Sequence, residues 1–335
     1  MLFENVRVFD GTTDGLSSPT SVLVENNLIK SVGSSAGAGL QAVRIDGGGR
    51  TLMPGLIDAH VHCVITTMNL ASLQHKPVTL VAHEARLVLE AMLRRGFTTV
   101  RDAGGADWGL AAAVDRGLIR GPRIFYSGRV LSQTGGHGDL RARGEPSGEL
   151  CACRIYSTGF SHVADGVDAV RKAAREELRL AAHQVKIMAS GGVASPTDPI
   201  WNVQYSLDEM QAIVEEARGW RTYAMAHAYT PEAIGRALAA GVRTIEHGNL
   251  IDAATASRMA EAGAFLVPTL VTYYAIDELG RALGFPAASQ RKVRDVLDAG
   301  LVSLELARDA GVAIGFGTDL LGETHEQQSR EFAIR

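Results

Sequence analysis

The sequence predicts an α/β protein, a (β/α)8 TIM-type barrel preceded by a small N-terminal β module, and three observations carry that expectation. Eight short apolar or β-branched runs alternate with helical stretches over most of the chain, a pattern that points to a parallel barrel and not to segregated α and β domains. No G-x-G-x-x-G turn follows the first of these runs, which argues against an open doubly wound sheet. The first 50 residues instead read as short strands separated by turn signals.

In the N-terminal module, strands are expected at Val6 to Phe9, Ser21 to Val24, Leu28 to Val32 and Ala42 to Ile45. Asp10-Gly11, Asn26-Asn27 and the run Gly47 to Gly49 supply the turns between them. The module closes at Met53-Pro54-Gly55, so the domains are expected at 1–52 and 53–335. The barrel strands are expected at Leu56 to Val64, Thr98 to Arg101, Arg123 to Ser127, Gln184 to Met188, Thr222 to Ala226, Thr244 to His247, Ala264 to Pro268 and Val312 to Gly317. Glu84 to Arg95, Asp168 to Ala182 and Pro231 to Ala240 carry apolar residues at three- and four-residue steps, and the last opens on Pro and is followed by Gly241. Two connections are long, Gly128 to about Val167 and Ser190 to about Ser206. Each follows the C-terminal end of an expected strand, where barrel sites sit.

Composition bounds the function. The chain has 335 residues, 46% of them hydrophobic, and a formal net charge of −4. Lys and Arg are dispersed, which excludes a nucleic-acid footprint. No apolar run approaches the roughly 20 residues of a membrane span, and the start lacks a signal core. A cytoplasmic protein with a small-molecule substrate is expected, with no nucleic-acid or membrane partner. Association into a homo-oligomer through outer helices stays open. The three cysteines, Cys63, Cys151 and Cys153, are too few for a disulfide framework or a four-ligand zinc site.

Chemistry concentrates at the strand ends. His60 and His62 flank Val61 on the first barrel strand, so the period of two points both imidazoles to one face. Asp58 shares their parity and is placed to orient one of them. His227 and His247 end the fifth and sixth expected strands, Asp319 follows the eighth, and Lys186 lies within the fourth. Singly, each has an ordinary reading as a satisfied core histidine, a structural aspartate or an ion-paired lysine. Together they converge on one rim. Lys186 in an apolar barrel loses basicity by desolvation, and its neutral amine can add carbon dioxide to form an anionic carbamate. Such a group can bridge two divalent cations about 3.5–4 Å apart.

The chain resembles the amidohydrolase superfamily. Within it, the likeness is to the binuclear metal-dependent carboxypeptidase group of Xaa-Pro dipeptidase-like, lysine/arginine carboxypeptidase-like and ochratoxinase-like enzymes. Met53-Pro-Gly-Leu-Ile-Asp-Ala-His-Val-His62, Thr134-Gly-Gly-His-Gly138, the segment from Lys186 to Asp198, His227-Ala-Tyr-Thr-Pro231, Ile245-Glu-His-Gly-Asn249 and Gly317-Thr-Asp319 carry it, in the family's order. The Lys186 segment is the most specific, since dihydroorotase-like and imidazolonepropionase-like relatives share only the His-x-His and the late Asp.

The resemblance implies that His60, His62 and Asp319 hold the more buried of two divalent metals, with zinc the first expectation and cobalt or manganese also suited. It implies that His227 and His247 hold the more exposed one and that carboxylated Lys186 bridges both. His137 and Tyr229 would contact substrate, and Asp319 would be the catalytic proton carrier for a bridging hydroxide, assisted by His137. The expected substrate is a dipeptide or N-acyl amino acid whose leaving residue is Pro, Arg/Lys or aromatic. Arg129, Arg141, Arg143 and Arg154 are candidate clamps for its carboxylate. Family members continue past the eighth strand, whereas this chain ends at Arg335, 16 residues after Asp319. The expectation is therefore a truncated barrel with a partial eighth helix and an incomplete β-sandwich module lacking its C-terminal strands. Two other functions stay open: a cyclic-amide hydrolase or deaminase of the same superfamily, and a non-catalytic metal-binding protein inactivated by truncation.

Overall fold

The structure is a computed structural model that describes residues 1–73, 75–141, 159–195 and 197–335. The chain forms two compact units, Met1–Leu56 and Ile57–Arg335.

The first unit is built on β1 (Leu2–Val8), with β2 (Thr20–Glu25), β3 (Leu28–Val32), β4 (Arg44–Asp46) and β5 (Thr51–Leu52). β1 pairs antiparallel with β2 and parallel with both β4 and β5, giving the order β3-β2-β1-β4 with β5 also on β1. The β2–β3 hairpin turns on Asn26 and Asn27 at φ of 49° and 64°. Asn tolerates this left-handed pair, which matches strand twist, and that is why the dipeptide marked a turn. Leu2, Leu23 and Ala36 form the unit's small core.

Among its described residues the second unit carries ten strands: β6 (Leu56–Val61), β7 (Phe97–Asp102), β8 (Arg123–Tyr126), β9 (Val130–Ser132), β10 (Ser161–Val163), β11 (Val185–Met188), β12 (Ala224–Ala228), β13 (Thr244–His247), β14 (Phe265–Val267) and β15 (Ala313–Ile314). They run as β6-β7-β8 and β10-β9-β11-β12-β13-β14-β15, and the pairings between registered neighbours are parallel. Backbone bonds bridge both seams. His183 N donates to Tyr126 O at 2.8 Å, and on the other side Ala59 N donates to Phe316 O at 2.7 Å and Asp319 N to His60 O at 2.8 Å. The eight expected strands are all present in a TIM-type architecture.

Helices cover the outside. Among them α1 (Leu70–Leu73), α2 (Val78–Arg94), α3 (Trp108–Asp115), α4 (Val167–Arg179), α5 (Leu207–Gly219) and α6 (Pro231–Ala240) lie between the strands. The ends of α5 and α6 follow from local chemistry. Ser206 and Glu209 form a reciprocal capping box on α5. On α6, Thr230 accepts from Ala233 N, Pro231 opens the helix, and Gly241 closes it at a φ of 90°. Ile187, Ala226, Ile245 and Leu266 of the strands pack with Met210, Ile213, Ile234 and Met259 of the helices in one apolar layer. Removing that area from water is the main force holding helix to strand.

Several expectations change. The connection from Gly128 is not all loop, since β9 and β10 lie in it. α2 begins at Val78 and not at Glu84, because Pro77 fixes the extended residue before its first turn. β12 extends to Ala228, so His227 sits inside a strand. Cys63 is a buried free thiol, whereas Cys151, Cys153, Arg143 and Arg154 lie outside the described residues. No helix among the described residues is long and apolar enough to cross a membrane.

Candidate metal centre

The strands and the turns that follow them deliver six polar side chains to one opening of about 560 Å³, a volume that includes solvent at its mouth. His60, His62, Lys186, His227, His247 and Asp319 line it together with His137. Tyr229 does not line it. It is buried, with its ring against His227 and His247 and its hydroxyl 2.9 Å from Tyr273 Oη.

His60 and His62 present the same nitrogen. His62 Nδ1 lies 2.9 Å from Gly104 O and His60 Nδ1 lies 2.7 Å from Glu246 Oε2, so each ring is anchored from behind. Their Nε2 atoms lie 3.1 Å and 3.4 Å from Asp319 Oδ1. His60 Nε2 is buried with no hydrogen-bond partner. One ligand atom from each of His60, His62 and Asp319 falls within a 4.8 Å cluster. Two imidazole nitrogens and a carboxylate oxygen form a donor set that zinc, cobalt or manganese accepts. An orphaned buried nitrogen aimed into that cluster is what such an ion would satisfy, so the residues fit the group.

His227 and His247 stand beside them, ring centroids 4.6 Å apart. His247 Nδ1 is 2.8 Å from Thr269 Oγ1. Burial pushes both imidazoles well below their ordinary pKa, which keeps them neutral and leaves a lone pair for a ligand. Lys186 is 1% exposed, and burial lowers its ammonium to about 8. Burial alone would raise Asp319, but the neighbouring His60 and His62 outweigh it and hold the carboxyl well below the usual range.

Backbone strain places several of these groups. His247, Thr269 and Asp319 have φ values of 74°, 50° and 50°. Left-handed non-glycine residues are uncommon, and three at successive strand ends re-aim side chains toward the rim. Asp58 plays a different part from the one expected. Its carboxylate accepts from Thr318 N, Thr318 Oγ1, Gln328 Nε2 and His60 N, and it contacts no imidazole. It therefore fixes the turn that carries Asp319, and only the backbone of His60.

His137 stacks on His227 at 4.2 Å between centroids, with Nδ1 2.7 Å from Ser195 Oγ and its backbone N donating to Gln204 Oε1. A Cβ on Gly192 would lie 2.2 Å from the His137 ring, so only glycine lets this loop approach so closely. Burial lowers His137 to about 4. Lys292 ties the same loop down by donating to Gly192 O, Ser195 O and Asp198 O.

The two described candidate clamps are engaged within the chain. Arg129 Nε donates to Glu177 at 2.7 Å, and Arg141 holds Asp139 through two nitrogens. The remaining lining is apolar and includes Ile65, Leu70, Leu73, Leu140, Phe160 and Leu321. Glu246 and Arg101, which contact the site from within the barrel, were not singled out from sequence. The available signal was a charge at inward parity on an otherwise apolar strand.

A TIM-type fold with a histidine- and aspartate-lined mouth points to a hydrolase of the barrel class, and comparison with known proteins agrees. Residues 51–330 match the amidohydrolase family, and the chain belongs to it. Over 280 residues it is 35% identical to ochratoxinase of Aspergillus niger, covering 80% of this chain and 58% of that protein. The chain thus spans somewhat over half the length of the curated relatives it matches. A prolidase solved with N-methylphosphonate-L-proline is 51% identical, with a TM-score of 0.94 over 100% of this chain and 82% of that one. A Xaa-Pro dipeptidase with methionine in its active site is 28% identical, with a TM-score of 0.84 over 99% and 82%.

Proposed function

We propose that this protein is a hydrolase that cleaves the amide bond of dipeptides or N-acyl amino acids with two divalent metal ions, zinc in the first instance. The observation that carries the proposal is the convergence of His60 Nε2 and His62 Nε2 on Asp319, beside buried Lys186 and two neutral imidazoles, at one apolar opening. His60, His62 and Asp319 would hold one ion, His227 and His247 the other, and Lys186 would bridge both. Two divalent ions there supply hydroxide near neutral pH and polarise the scissile carbonyl.

The chain's own residues do the rest. The Lys186 amine, neutral for a fraction of the time at neutral pH, adds carbon dioxide. A C–N bond forms, one proton leaves to solvent, and the product is an anionic carbamate. Asp319 takes a proton from the attacking water on a carboxylate oxygen and returns it to the departing amine nitrogen as the C–N bond breaks. The contact between Ser195 Oγ and His137 Nδ1 is shorter than that between Ser195 Oγ and Gly192 O, 2.7 Å against 3.2 Å. With the hydroxyl proton given to Nδ1, His137 keeps Nε2–H to donate to the developing oxyanion. Tyr229 supports the rings of His227 and His247 from behind.

The apolar lining favours a leaving residue without charge, proline or an aromatic amino acid, over arginine or lysine. The prolidase and ochratoxinase likenesses support the same choice. The test is a panel of Xaa-Pro dipeptides, N-acyl phenylalanines, Xaa-Arg dipeptides and cyclic amides, offered to zinc-loaded protein with release followed by chromatography. Release of proline or phenylalanine at rates at least tenfold above arginine is expected. Ring opening alone, with every linear amide left intact, would replace this reading with the cyclic-amide one.

A further inference from the structure

Behind the candidate metal ligands lies a charged network that crosses the barrel interior. Glu246 on β13 is fully buried, and both Arg101 and Thr244 donate to its carboxylate. Arg101 Nη2 donates to Oε1 at 2.8 Å and to Oε2 at 2.9 Å, Thr244 Oγ1 donates to Oε1 at 2.6 Å, and His60 Nδ1 lies 2.7 Å from Oε2. Arg101 is itself held by Ala59 O at 2.6 Å, Thr244 Oγ1 at 3.1 Å and Tyr223 Oη at 3.3 Å. Three strands, β6, β7 and β13, thus meet at one carboxylate.

We infer that Glu246, held by Arg101, is a positioning residue that locks His60 in the Nδ1–H tautomer and so keeps the Nε2 lone pair directed at the metal cluster. The inference rests on the reading of His60 as a metal ligand. A carboxylate that already receives Arg101 Nη2 and Thr244 Oγ1 can only accept, so the His60 nitrogen that meets it must carry a proton. The other nitrogen faces the ligand cluster, 3.4 Å from Asp319 Oδ1, and makes no hydrogen bond of its own. An outer partner of this kind sets both ring orientation and ligand basicity. The geometry is unforgiving because Arg101 Nη2 donates to both carboxylate oxygens. An amide in its place must turn its NH2 toward either Oε position. Toward His60, it forces Nδ1 to accept and moves the ring proton to Nε2, abolishing the lone pair. Toward Thr244, it sets its NH2 against the Arg101 Nη2–H that donates at the same position.

Two measurements test this. In chelator-stripped wild-type protein labelled with 15N, long-range proton–nitrogen spectra should show Nδ1 of His60, assigned by its absence in His60→Asn, carrying a proton. Zinc titrated against a chromophoric chelator should bind Glu246→Gln about 10–100-fold more weakly than wild type, in protein whose circular dichroism matches wild type. An unprotonated Nδ1 in wild-type His60 overturns the inference, and this arm does not depend on any variant folding. Equal zinc affinity in folded Glu246→Gln overturns it while leaving the metal site standing. Wild-type protein that takes up no zinc defeats the metal-ligand reading and the inference with it.

Discussion

Asp319→Asn lowers kcat by about 10²–10⁴-fold and leaves most of the bound metal in place. The side chain is the one carboxylate among the described lining residues of the opening. It faces both His60 Nε2 and His62 Nε2, and its pKa is held well below the carboxylate norm against the upward push of burial. The amide keeps an oxygen for coordination and the same shape, so the φ of 50° at this residue and the bonds from Thr318 to Asp58 persist. What it loses is the capacity to accept a proton and pass it on. Turnover on the preferred amide, together with elemental analysis of the same preparation, checks both halves. Full turnover in the variant would remove Asp319 from the proton path.

Lys186→Ala should abolish the paired site, leaving no more than one metal per chain and turnover reduced by at least 10²-fold, on the order of a lost general catalyst. Lys186 is almost wholly enclosed, and burial lowers it to about 8. Roughly a tenth of it is therefore neutral at pH 7, enough to capture carbon dioxide but too little to act as a permanent neutral amine. As a carbamate it becomes an anion among neutral imidazoles, which offsets the cost of enclosing a cation there. Short carboxylic acids added to the alanine variant should restore part of the metal content and activity, because they fill the vacated volume with the same anionic head. Two firmly bound metals in the unrescued variant would show that the pair needs no bridge from this position.

Much of the site was legible because strand geometry is simple. A period of two puts His60 and His62 on one face, and a lysine in the apolar run Val185 to Met188 signals either a cost or a use. His247 was placed by motif and strand end, but its geometry was not readable. By parity it should point away from Glu246, and only its left-handed backbone brings it to the rim. Glu246 and Arg101 stood in plain view on expected strands, yet their pairing spans 145 residues, and nothing local announces it. The same limit applies to Tyr229, whose hydroxyl meets Tyr273, 44 residues on. The strands Val130–Ser132 and Ser161–Val163 were missed because three residues are too few to display a period. Asp58 illustrates a subtler failure. Its parity suggested an imidazole partner, but a buried carboxylate takes the nearest set of unsatisfied donors, and those belong to the turn before Asp319.

The central claim is a site for two metal ions bridged through Lys186, and metal content per chain tests it most directly. Protein purified without chelator, in bicarbonate-containing buffer, should carry about two divalent ions per chain by elemental analysis. One ion or none per folded chain, unchanged by added zinc and bicarbonate, would contradict the bridged pair.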